Sequence, residues 1–267
     1  MNVHTLYLYP VKSLAGISVN SFSLDDFGPV GDRRWMIVDT EQKFVTQRSC
    51  PKLACVSTYF NGPDVMVSIP GEGEFRLTTG MQNHEVTVWR DRVKALVSAA
   101  TASEALSRYC GKTVHFAYMP DEVFRRVDPD RVPAYRRVSF ADGFPFLVTN
   151  QASLEDLNSR LENPVEMRRF RPNVVISGVQ AWEEDSWSRL LIRNVSISLV
   201  KPCSRCIVTT VDPDTGARSS GGQPLKTLAT YRRTPDGVIF GVNGVHNSSG
   251  TLSVGDPVSL GNPVKLA

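Results

Sequence analysis

The sequence predicts an α+β protein dominated by strands and divided into two parts, and three observations carry that prediction. Short runs rich in β-branched and aromatic residues recur along the whole chain, separated by Gly, Pro, Asp and Asn. Two segments, TASEALSRYC and SLEDLNSRL, have apolar residues at helical spacing. Between the halves lies PDEVFRRVDPDRVPAYRR (120–137), punctuated by proline and without a sustained period, which reads as a connection.

In the first part, TLYLY, RWMIVD, KFVTQR, ACVSTYF, DVMVSI, EFRLT, EVTVW and RVKALV read as strands, and their close spacing suggests a barrel or a curled sheet. Residues 101–110 follow as a helix with Thr101 or Ser103 as its cap, Leu106 and Tyr109 on one face and Gly111 as its stop. The strand VHFAYM closes this half. The second part opens with the strand FPFLVTN and the helix SLEDLNSRL, where Ser153 can cap and Leu154, Leu157 and Leu161 share a face. NVVISG, RLLIR, VSISLVK, CIVTTV, TLSVGD and PVSL then read as strands. No repeat or low-complexity tract interrupts them.

Composition narrows the function classes. With 267 residues, 41% of them hydrophobic, the chain can bury a core without disulfide staples. The opening MNVHTLYLYPVKS lacks a charged segment followed by an apolar one, and no apolar run approaches the roughly 20 residues of a membrane span. A cytoplasmic location, no membrane partner and reduced thiols are therefore expected. A net charge of +3 argues against a nucleic-acid polymer as partner. Basic residues do cluster locally, at Lys12, Arg33 and Arg34, Arg125 and Arg126, Arg136 and Arg137, Arg168 to Arg171, and Arg205. They are either solvated faces or several of them converge on one small anion.

Of five cysteines, Cys203 and Cys206 form a CxxC in KPCSRCIVTTVDP. A thioredoxin-type pair opens a helix, whereas IVTTV reads as strand. Structural zinc wants four ligands, and no second pair exists. Two readings remain: small residues buried at a strand entrance, or thiolate ligation of a soft metal, favoured by Lys201 and Arg205.

KPCSRCIVTTVDPDTG, FRPNVVISG, SFADGFPFLVTNQASLEDLNSRL, YPVKS and GDRRWMIVD, separated blocks that stand in the right order along the chain, resemble the MOSC-domain molybdenum enzymes, among them the mitochondrial amidoxime-reducing component and bacterial YcbX-type reductases. The resemblance implies a MOSC N-terminal β-barrel over 1–118, a linker over 119–134 and a barrel-like MOSC domain over 135–267, with a few short helices. It further implies a molybdenum cofactor, with molybdenum held by a molybdopterin dithiolene and by Cys206, Cys203 being an unbonded neighbour. Lys12, Ser13, Arg33, Arg171, Asn173, Ser204 and Arg205 match the residues that bind the cofactor's phosphate and fused rings, while Asp142 matches a carboxylate suited to proton delivery. Thr46, Gln47 and Arg48 match a stretch that faces the cofactor.

The implied reaction is reduction of N-hydroxylated compounds, such as hydroxylamines, N-hydroxylated bases and amidoximes, to amines or amidines. Gly143, Phe144 and Asn243 depart from the relatives, so the substrate-side wall is expected to differ. YcbX-type chains continue into a ferredoxin-like domain, whereas this chain ends at Ala267 without those cysteines. No iron–sulfur cluster within the chain and a separate ferredoxin- or flavin-type electron-donor protein are therefore expected. The rival function is a carrier or transfer module for cofactor or sulfur built on Cys203 and Cys206, as in sulfurase proteins where a MOSC domain follows a pyridoxal-phosphate unit. A thiol-redox or purely structural β-protein is the third reading.

Overall fold

A computed structural model describes residues 1–263; the last four positions of the unit expected over 135–267, and the chain end at Ala267, lie outside the described residues. The first half holds β1 (Asn2–Leu8), β2 (Ile17–Val19), β3 (Ser21–Asp25), β4 (Gly28–Pro29), β5 (Trp35–Val38), β6 (Ser57–Asn61), β7 (Asp64–Ile69), β8 (Gly73–Arg76), β9 (Asn83–Val88), β10 (Asp91–Ser98), α1 (Thr101–Cys110) and β11 (His115–Tyr118). The second holds β12 (Phe146–Asn150), α2 (Gln151–Asn158), β13 (Val174–Ser177), β14 (Arg189–Ile192), β15 (Val195–Ser204), α3 (Leu225–Tyr231), β16 (Arg233–Thr234), β17 (Gly237–His246), β18 (Thr251–Ser253) and β19 (Val258–Leu260). Strands dominate, and the fold is mixed α+β. Among the described residues, no helix is long and apolar enough to cross a membrane.

The largest sheet runs in the order β19, β14, β15, β17, β12, β13, β1, β2, with β16 added at β17. Its first-half members, β1 and β2, join through antiparallel pairing of β1 with β13. Strands β12 and β13 pair in parallel, and α2 supplies the crossover such a connection needs. The remaining first-half strands form smaller sheets: β5, β11, β10 and β9 in one, β6, β7 and β8 in another, and β3 and β4 with second-half β18 in a third. One core, with Leu6, Phe146, Val174, Leu190 and Ile197, fills the large sheet; a second, with Leu14, Trp35, Ile37, Leu106 and Phe116, lies under α1.

The expected barrels are corrected by this topology: among the described residues no sheet closes into a true barrel. The large sheet curls until Val3 N–H donates to the Asp256 carbonyl (2.9 Å) and Val258 N–H to that of Met1 (3.1 Å). With Gly255 N–H donating to the Val3 carbonyl (2.8 Å), these bonds flank a single bridge between Asn2 and Pro257, joining the start of β1 to the segment before β19. Proline cannot donate to a ladder, and β1 shifts register between Val3 and Thr5, so pairing does not propagate.

Two segments expected as strands are not strands. In KFVTQR the chain turns, with Ser49 and Cys50 N–H both donating to the Thr46 carbonyl (3.0 and 2.9 Å). In CIVTTV, Ile207–Thr210 form a 3-10 turn, because Thr209 donates both N–H (3.1 Å) and hydroxyl (3.0 Å) to the Cys206 carbonyl. Local hydroxyl bonding outcompetes β-propensity there. The helix caps also differ. Ala100, not Thr101 or Ser103, precedes α1, and the Ser103 hydroxyl instead donates to the Ser98 carbonyl (2.5 Å). Asn150 caps α2 by accepting from Ala152 N–H (3.0 Å), while Ser153 donates to Glu184 Oε2 (2.8 Å).

Candidate functional site

The loop leaving β1 crosses from the large sheet to the first-half sheets, and a cavity opens at that crossing. Its wall includes Lys12 and Ser13 from this loop, Arg33 before β5, and the Thr46–Arg48 turn. From the second half come Asp142, Gly143 and Phe144 before β12, Arg171 and Asn173 before β13, Cys203 to Cys206 at the end of β15, and Asn243 on β17. Every site residue expected from the sequence lies on this one wall, including the three departures at Gly143, Phe144 and Asn243. Four of the seven described non-glycine residues with positive φ, namely Ser13, Arg33, Trp89 and Arg171, line or touch it. Such backbone costs about 1–2 kcal/mol per residue and persists where surrounding contacts over-determine it.

Arg33, Arg171 and Arg205 converge here. The Arg33 Nη1 donates to Asp32 Oδ2 (2.5 Å) and Asn173 Oδ1 (3.2 Å), and its Nη2 to the Arg171 carbonyl (3.1 Å). Arg171 Nη1 donates to the Leu14 carbonyl (2.7 Å), while its Nη2 is buried without a partner among the described residues. Burial, aided by Arg33, pushes Arg171 down to about 10. The Arg205 Nη1 approaches Cys203 Sγ (2.8 Å) and Nη2 donates to the Phe170 carbonyl (2.7 Å), leaving a buried Nε without a partner among the described residues. Several guanidinium groups held in fixed geometry on one cavity wall are the natural complement of an anion.

Other arginines from the sequence clusters are spent elsewhere: Arg34 on Asp121 (2.7 Å), Arg168 on Asp214 (2.8 Å) and Arg169 on Asp212 (2.8 Å). Buried Arg125 acts from behind the wall. Its Nη1 donates to the Ser139 and Ala141 carbonyls (2.8 and 2.5 Å), and Nη2 to that of Asp142 (3.3 Å).

Lys12 and Asp142 form a close ion pair, and Trp89 Nε1 also donates to Asp142 (3.1 Å). Burial pulls Lys12 down to about 8, with Asp142 opposing. Crowding raises Asp142, but Lys12, Trp89 and Arg33 outweigh it and hold the carboxyl below the usual carboxylate range. Asp142 is therefore ionised at neutral pH, and Lys12 is the member that titrates nearest neutrality.

Neither cysteine of the CxxC is sealed in the core: Cys206 is exposed and Cys203 half-buried. Cys206 caps the 3-10 turn with its backbone, which leaves the thiol free at the cavity. Asn173 and Ser204 are partly committed to the fold. Asn173 Oδ1 accepts from Leu147 N–H (3.3 Å), and the Ser204 hydroxyl donates to the Asp236 carbonyl (2.8 Å). Gln47 Nε2 donates to the Ser13 carbonyl (2.8 Å), and Arg48 lies over the Trp89 ring (4.3 Å).

Sequence reasoning missed the supports of this wall. Buried Tyr9 packs against both Arg33 (4.4 Å) and Arg171 (4.3 Å). Buried Asp32 accepts from Tyr9 N–H (2.8 Å) as well as from Arg33. A Cβ on Gly16 would stand 2.3 Å from the Tyr9 ring, so that position requires glycine. The YPVKS and GDRRW contexts held the signal, an aromatic three positions before one site cation and an acid immediately before another.

Two family models match the chain: the MOSC N-terminal beta barrel domain over residues 1–113 and the MOSC domain over residues 135–259. Mitochondrial amidoxime-reducing component 1 of Homo sapiens is 34% identical over 287 residues, covering 97% of this chain and 82% of that protein. Its Mus musculus counterpart is 35% identical over 97% of this chain and 82% of its own length. Mitochondrial amidoxime reducing component 2 of Bos taurus is 31% identical over 96% of this chain and 82% of its own. These names correct the expected cytoplasmic location, since all three relatives are mitochondrial proteins. The physical reason is that the charge and hydropathy of the opening residues exclude one export signal without assigning a compartment.

Proposed function

Because the chain belongs to the MOSC-domain family that includes the mitochondrial amidoxime-reducing components, we propose that it is a molybdenum-cofactor-dependent reductase that converts N-hydroxylated compounds to amines or amidines. The observation that carries the reading is the convergence on one cavity of an exposed thiol, Cys206, with Lys12 and the guanidinium side chains of Arg33, Arg171 and Arg205. Among the described residues, no three His, Cys, Asp or Glu side chains group around a bare ion. One thiolate beside several cations suits a metal already chelated by an anionic organic ligand.

When bound, the cofactor supplies the two-electron redox chemistry. The chain does the rest. Lys12, Ser13, Arg33, Arg171, Ser204 and Arg205 would grip the phosphate and polar rings, Asn173 would hold Arg33 in place, and Cys206 would give the metal its protein ligand. Phe144, Phe146, Leu147 and Phe170 on the wall exclude water from the substrate. The Lys12–Asp142 pair sits where protons are consumed: Lys12 holds one at Nζ near neutrality, and Asp142 keeps that nitrogen oriented. Electrons come from a separate donor protein.

The test is metal and pterin analysis of the purified protein together with turnover of a hydroxylamine by a chemical electron donor. Wild type should carry stoichiometric molybdenum and reduce the substrate, Cys206→Ser should lose both, and Cys203→Ser should keep its metal. Equal activity in Cys206→Ser removes the ligand assignment. Bound pterin without turnover under any donor would instead indicate a carrier.

A further inference from the structure

Three cysteines lie outside the CxxC, and two of them meet. Cys50 ends the turn that carries Thr46–Arg48, and Cys110 is the last residue of α1. Their sulfurs are 3.5 Å apart although 60 positions separate them in sequence. Cys50 is buried in the core that includes Leu53, Leu106 and Val114, and Cys110 packs at its edge, half-exposed.

We propose that Cys50 and Cys110 are a dithiol site that a low-molecular-weight disulfide such as oxidised glutathione converts to a reversible intramolecular disulfide. A covalent bond needs the sulfurs at about 2.0 Å, a closure of only about 1.5 Å, within reach of side-chain torsions. The half-exposed Cys110 gives the reagent access. Lys52 and Lys112 place positive charge near both sulfurs, which favours thiolate. The hydrogen bond between the thiols lowers Cys50 and raises Cys110, so one proton leaves the pair readily. The other thiols have separate surroundings: Cys55 Sγ lies against the Asp214 carbonyl (3.3 Å), and Cys203 against Arg205.

The exchange balances. The Cys110 proton passes along the hydrogen bond to Cys50, and the accessible Cys110 sulfur attacks one sulfur of the oxidised thiol, forming a mixed disulfide and expelling one thiolate. The second cysteine then attacks the bound cysteine sulfur, breaks the mixed disulfide and releases the second thiol. The pair loses two electrons and two protons, and both are recovered in the two thiols released. The product bolts the cavity turn to α1, because Cys50 N–H is bonded to the Thr46 carbonyl and Gln47 to the Ser13 carbonyl. The site does not depend on the cofactor reading.

Its test is peptide mapping of the full chain equilibrated in glutathione buffers from reducing to oxidising, then alkylated. The expected product is one cross-linked pair, Cys50 with Cys110, with two of the five thiols lost and both regained with dithiothreitol. Cys206→Ser should give the same link, and Cys110→Ser should leave Cys50 alkylatable. Five free thiols at every ratio, glutathione retained on Cys110 without a link, or links through Cys55 or between Cys203 and Cys206 in its place would each overturn the assignment. Mapping of the wild type decides the matter even if a cysteine variant fails to fold.

Discussion

Lys12 and Asp142, 130 positions apart in sequence, meet as an ion pair in which the lysine is buried and the carboxylate faces the open cavity. The pair joins the loop after β1 to the segment before β12, so it ties the two halves of the chain at the site.

The first prediction concerns pH. Burial lowers Lys12 from its ordinary 10.5 to about 8, so its contribution to stability is fully present above pH 10.5 and lost as pH falls through about 8. Anion binding runs the other way, since it needs the charged amine. Sulfate, which does not titrate in this range, should bind more weakly above pH 8, approaching about tenfold per pH unit. Calorimetry across pH 6 to 10 checks this. In Asp142→Asn the decline should begin at lower pH, and the stability cost should stay near about 1 kcal/mol, because Asp142 is largely solvent-screened.

Asp32 should matter more. It is buried and neutralises an Arg33 side chain that is only 11% exposed. Asp32→Asn leaves that guanidinium without its counterion and should cost about 3–5 kcal/mol. Glu85→Gln, which breaks an exposed pair with Arg92, should cost no more than about 1 kcal/mol. Urea unfolding of the two variants measures the contrast, and equal midpoints would refute it.

Tyr9 separates packing from hydrogen bonding. Its hydroxyl is buried without a partner among the described residues, so Tyr9→Phe should keep stability within about 1 kcal/mol of wild type and retain molybdenum. Gly16→Ala drives a methyl into the same ring and should cost about 1–3 kcal/mol. It should also lower metal content, because the displaced ring no longer supports Arg33 and Arg171. Thermal melts and metal analysis read the two effects independently.

Much of the fold was legible as local pattern. Strands β1, β7, β13 and β14 lie where alternating or β-branched runs put them, and α1 and α2 where apolar residues recur at helical spacing. Strand β17 went unread, since Gly241 and Gly244 break its apolar run. Those glycines are needed there because a Cβ would meet the Val148 carbonyl at 2.7 Å or Ile197 at 2.8 Å. Threonine-rich CIVTTV misled in the opposite sense: side-chain hydroxyls bent a strand-like sequence into a turn.

By itself the sequence determined the family, the strand-rich class and the residue types of the site, because those depend on short-range pattern and on motifs that survive as contiguous text. Only the tertiary structure decided that Asp32 and Tyr9 hold the arginines of the site, that Lys12 pairs with Asp142, that no sheet closes into a barrel among the described residues, and that Cys50 lies beside Cys110. Those are through-space relations set by packing between distant segments, and a spacing along the chain does not encode a distance across it.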